Sequence, residues 1–132
     1  MATNCTDSVK TNKQPHFSFK KLKVWQRAVG FATDVIQAVE NIETTRKHYR
    51  LIEQLEAACT SVPMHIAEGK GRQTTKEFIQ YLYIARESLF EVITLLIILQ
   101  NLGWMTKSRV DELQVGAEEI TKMLNAMIKA MK

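Results

Sequence analysis

From Phe78 to Leu99, apolar side chains recur at Phe78, Leu82, Ala85, Leu89, Val92, Leu96 and Leu99, in unbroken steps of four and three residues. That spacing puts all seven on one stripe of an α-helix, whereas a strand would scatter them over both of its faces. An isolated helix of this kind gains little from its own hydrogen bonds and is stabilised mainly by burying its stripe. The chain must therefore supply other helices with matching faces.

It supplies three. Val24, Ala28, Phe31, Val35, Val39 and Ile42 repeat steps of four and three and predict a first helix. Asn41 to Lys47 breaks the period and reads as a loop. Leu51, Leu55, Ala58 and Val62 predict a second helix as far as Pro63, where the missing amide proton and the ring's clash with the Cys59 carbonyl should make the helix kink or restart. Gly69 and Gly71 are then expected to stop it by taking left-handed conformations. Thr74 and Glu77 form a capping-box pattern, so the third helix should begin near Thr75, and Gly103 should close it. Thr106 or Ser108 caps a fourth helix with Val110, Leu113, Ala117, Ile120, Leu124 and Met131 on one face. The expected fold is all-α, an up-down-up-down four-helix bundle over residues 19–132 behind a flexible basic leader, residues 1–18.

The third helix carries more apolar surface than such a core needs. Ile79, Tyr83, Phe90, Ile93 and Ile97 lie beside its stripe, and Tyr81, Ile84, Leu95, Ile98 and Leu102 beyond it. A helix apolar on nearly every side calls for burial on every side. Ile79, Tyr83, Phe90 and Ile97 are therefore expected at an interface with another copy of the chain, a homo-oligomer. The alternative is that the N-terminal arm folds over this face.

At 132 residues, 45% hydrophobic and 24% charged, the chain has the size and composition of one globular domain. The most apolar run, Val92 to Leu99, is far short of the ~20 residues that cross a bilayer, so no membrane span is expected. Without a signal-peptide pattern, and with only Cys5 and Cys59, the expectation is a reducing, cytoplasmic setting. The net charge of +4 is unevenly placed: residues 1–27 hold six Lys and Arg against one Asp, and the remainder twelve against thirteen acids. Lys20, Lys21, Lys23 and Arg27 sit at the front of the fold. Arg46, Lys47 and Arg50 cluster between helices one and two, and Lys70, Arg72 and Lys76 between helices two and three. Such clusters attract phosphate backbones by releasing counterions, or else serve only as a solvated surface. Phe17, Phe19 and Trp25 interleave with the first cluster, as stacking faces do in single-strand binding, or else dock on the core.

The stretch SVPMHIAEGKGR, residues 61–72, invites three other readings. A phosphate loop requires a different glycine spacing and a preceding strand. A di-iron bundle requires paired Glu-x-x-His motifs on two helices and two further glutamates, whereas His65 and Glu68 come once and in reverse order. The simpler reading is a polar helix end with Glu68 paired to a base such as Arg72. His16, His48 and Cys59 form no nucleophile pattern. No catalytic residue, metal or cofactor is expected.

The leader HFSFKKLKVWQRA, the segment LIEQLEAACTSVPMHIAEGKGR, and KEFIQYLYIARESLFEVITLL with NLGW resemble the four-helix-bundle proteins encoded in intervening sequences of bacterial 23S ribosomal RNA genes. The likeness runs from about Phe19 to the C-terminus and is carried most specifically by Ile66 to Arg72. It implies pentameric barrels of bundles, and its ribosomal name reflects gene location. Related members resemble the accessory variability protein of diversity-generating retroelements, a basic pentamer that binds a reverse transcriptase and structured RNA. The expectation is a non-enzymatic oligomer binding RNA through its basic clusters. The alternative is a protein-interaction scaffold, for example an accessory subunit of a reverse transcriptase, without nucleic-acid affinity of its own.

Overall fold

The computed structural model describes residues 15–42 and 49–132. They form a short 3-10 turn, Ser18–Lys21, followed by four α-helices: α1 (Lys23–Glu40), α2 (Tyr49–Lys70), α3 (Thr75–Asn101) and α4 (Lys107–Met131), with no strand among the described residues. Each helix lies where the periodicity predicts it. The loop expected over Asn41 to Lys47 begins at the α1 cap, Asn41, and then passes outside the described residues.

The buried stripes meet in a single core. Leu82, Ala85, Leu89, Val92, Leu96 and Leu99 of α3 are fully buried against Val35, Leu55, Val62, Ile66, Val110 and Leu124 from the other three helices. No buried polar or charged residue interrupts this core among the described residues. α2 packs on α1 and α3, and α4 packs on α3 and α1, so the helices close a four-membered circuit whose diagonal pairs stay apart. Across α2 and α3, Gln54 meets Glu91, Ser61 meets Ser88 at 2.7 Å, and Gly69 abuts Tyr81; numbers fall on one helix as they rise on the other. Across α1 and α4, Arg27 reaches Glu119 while Phe31 approaches Gly116, with the same reversal.

Local signals decide the helix ends. The Thr74 hydroxyl accepts from the Glu77 amide at 3.1 Å and donates to the Glu77 carboxylate, starting α3 at Thr75. Thr106 caps α4 by accepting from the Arg109 amide at 3.2 Å. Gly103, at φ 80°, closes α3.

Of the two outcomes expected at Pro63, a kink or a restart, the restart is not seen: the helix continues through the proline to Lys70. Around the proline, side chains donate to backbone carbonyls: Thr60 to Glu56, Ser61 to Ala58, and the His65 Nδ1 to Ser61. These bonds support carbonyls in turns where a proline weakens the ladder. Nor do Gly69 and Gly71 take left-handed conformations, since Gly103 is the one glycine with positive φ among the described residues. Gly69 is instead a buried helical residue chosen for lack of bulk: a Cβ there would stand 2.6 Å from the Cβ of Tyr81 and 2.9 Å from Phe78. The glycine lets α2 and α3 approach closely just before the chain turns.

Candidate functional site

Four segments converge at the end of the bundle where α2 passes into α3. Phe19 of the 3-10 turn lines a groove with Pro63, Met64 and Ala67 from the last turns of α2. Thr75, Lys76, Ile79 and Tyr83 at the start of α3 line a hollow with Met131 and Lys132 from the end of α4. This brings Lys20, Lys21 and Lys23 to the same end as Lys70, Arg72 and Lys76, and adds Lys129 and Lys132, all eight exposed. Lys20, Lys21 and Lys23 and the cluster of Lys70, Arg72 and Lys76, separate in sequence, are thus neighbours in space.

None of these eight cations pairs with a carboxylate among the described residues. Several rest on aromatic rings instead. Lys20 Nζ lies 5.5 Å from the Phe17 ring, Lys70 6.0 Å from Phe78, and Lys132 5.4 Å from Tyr83. The Arg72 guanidinium sits 4.7 Å over Tyr81 and also donates to its hydroxyl. A ring's quadrupole holds a cation in place without cancelling its charge, so the positive field at this end persists.

The carboxylates of Glu68 and Glu77 pair with none of these eight cations. Glu68 stands 4.0 Å from His65 Nε2 rather than beside Arg72, and Glu77 takes the Thr74 hydroxyl. This corrects the expected Glu68–Arg72 pair: Tyr81, brought near by the close approach at Gly69, captures the guanidinium. His65 is fixed by its bond to Ser61, and no group of three His, Cys, Asp or Glu side chains is placed to hold a metal among the described residues.

The remaining candidate cations lie elsewhere. Arg27 reaches across from α1 to Glu119 of α4 at 2.8 Å, a pair more than half exposed on both sides and worth at most about 1 kcal/mol. Arg50 is in the first turn of α2, at the opposite end, and Arg46 and Lys47 lie outside the described residues. At that opposite end Lys107 is bonded to Asp111 and Arg109 to Glu112. Sequence reading passed over Lys129 and Lys132. The available signal was their place in the last turn of the fourth helix, which must end where the second does if neighbouring helices reverse direction.

Phe19 and Trp25 are partly buried with their rings edge to face, 5.2 Å apart, which is the docked reading for that pair. Phe17 is different: 56% of it is exposed. On the surplus face of α3, Ile79 and Tyr83 are half-buried, while Phe90 and Ile97 are 48% and 40% exposed. Leu95 from that surplus is in the core. Between α1 and α2 runs an apolar groove of about 460 Å³, lined by Trp25, Val29, Ile36, Pro63 and Met64 among others. No described helix is long and apolar enough to cross a membrane.

Comparison with known proteins adds the following. The family model of the 23S rRNA-intervening sequence protein matches residues 20–126. A protein with unknown function from the S23 ribosomal protein family of Bacteroides thetaiotaomicron VPI-5482 has a similar crystal structure. It shares 23% identity with this chain at a TM-score of 0.72, covering 80% of this chain and 98% of its own. No curated protein matches.

Proposed function

This chain belongs to the 23S rRNA-intervening sequence protein family, and on that premise we propose that it is a non-enzymatic, self-associating up-down-up-down bundle that binds RNA on its basic end. One observation carries the reading: eight exposed Lys and Arg side chains at a single end, none paired with a carboxylate among the described residues. A surface of this kind releases the condensed counterions of a phosphate backbone and draws it in from a distance. The half-exposed Phe90 and Ile97, with Ile79 and Tyr83, supply the face for self-association, for which a pentamer is the arrangement the family suggests. Side by side, such copies would multiply the basic end into a ring.

A second reading is favoured by the groove between α1 and α2, whose apolar walls suit a protein partner such as a reverse transcriptase. Salt separates the two, because phosphate binding weakens steeply with ionic strength and apolar docking does not. The test is binding of the purified protein to a labelled structured RNA across a salt series, with mass measured in the same buffer. The variant Lys20→Gln, Lys21→Gln, Lys23→Gln is expected to keep its mass, bind more weakly and lower the log–log salt slope by about 2. No binding of the unaltered protein even at low salt would overturn the RNA reading in favour of the scaffold.

A further inference from the structure

We infer that the basic end takes unpaired RNA, with the exposed ring of Phe17 as a stacking face for a base, in preference to an uninterrupted duplex. This rests on the RNA reading above and narrows it to a class of substrate.

Phe17 is mounted rather than loose. It is the residue before the 3-10 turn, in extended conformation, and its carbonyl accepts the Lys20 amide at 3.0 Å, which fixes its backbone against the turn. Its ring lies 5.8 Å from that of Phe19, which in turn contacts Trp25 edge to face, so a row of rings leads from the core to the surface. Phe19 and Trp25 are anchored by the fold, and Phe17 is the outer end of the row, 56% exposed. Lys20, whose Nζ lies over this ring at 5.5 Å, would shift from the ring to the phosphate of a nucleotide whose base takes its place on Phe17.

The same combination recurs across this end. The Arg72 guanidinium, held over Tyr81 at 4.7 Å, is exposed, and guanidinium planes also accept bases. Aromatic faces interleaved with phosphate-seeking cations are what single-strand binding uses, because every base has a π-face to offer. A duplex keeps its bases stacked on each other and presents only phosphates and groove edges, so it gains nothing from Phe17.

The experiment compares a single-stranded RNA with a duplex of equal length, using the full-length protein. Phe17→Ala should weaken single-strand binding about tenfold and leave duplex binding unchanged. It should also leave the salt slope unchanged, since no charge is removed, whereas Lys20→Gln should reduce that slope. Phe17→Tyr should restore binding. Equal loss on both RNAs, or no loss on either, would overturn the stacking role while leaving the RNA reading standing. Failure of the unaltered protein to bind either RNA would overturn both. Because Phe17 is exposed, the variant should keep its mass and thermal transition; a shift in either would mean that the ring serves the fold, and would also overturn the inference.

Discussion

Replacing Gly69 by alanine sets two effects against each other. Alanine favours a helix by about 1 kcal/mol over glycine, but its Cβ would stand 2.6 Å from the Cβ of Tyr81, an atom that no rotamer change can move away. The helices α2 and α3 would have to separate, at a cost of about 1–3 kcal/mol. Gly69→Ala is therefore expected to lower the denaturant midpoint, and a rise would show that the helices spread freely. Cys59 makes a second prediction. Burial first, and the Glu56 carboxylate second, raise its thiol from 9.0 to about 11. A raised pKa means that the native state holds its proton more tightly than the unfolded one, so stability is complete below about pH 9 and falls as pH rises toward 11. Denaturation at pH 8 and pH 11 should show this loss, and Cys59→Ala should reduce it. A glycine before a turn reads alike whether it serves left-handed backbone or close packing. Only the position of Tyr81 distinguishes the two, and that is why the sequence suggested the wrong role.

At the scale of elements, signals that act within a few residues were legible and those needing a partner were not. Thr74 and Glu77 announced the start of α3, and the cap is present with one change: the hydroxyl gives its proton to Glu77 as well as accepting the amide. Thr74→Ala should cost about 1 kcal/mol in thermal or chemical unfolding; an unchanged midpoint would mean that packing alone sets the start of α3. At Pro63 the local rule allows a kink or a restart, and cannot choose between them. The helix passes through it where Thr60, Ser61 and His65 bond nearby carbonyls and the ring is buried beside α1.

At the scale of the whole molecule, the basic clusters were visible as runs of residues, but their union was not. Lys20, Lys21 and Lys23 join Lys70, Arg72 and Lys76 only because the 3-10 turn folds back on the end of α2, and Lys129 and Lys132 join them because α4 ends beside the start of α3. The same geometry gives the chain a lengthwise electrical polarity. Across α2 and α3, and across α1 and α4, the numbering runs in reverse, so within each of these pairs the backbone dipoles largely cancel. With Lys107 and Arg109 bonded to carboxylates at the far end, where Arg50 also lies, the eight unpaired cations among the described residues make the opposite end of the bundle the more positive one. A molecule polarised in this way is turned by a polyanion's field before it touches, arriving basic end first, so orientation is settled during the approach.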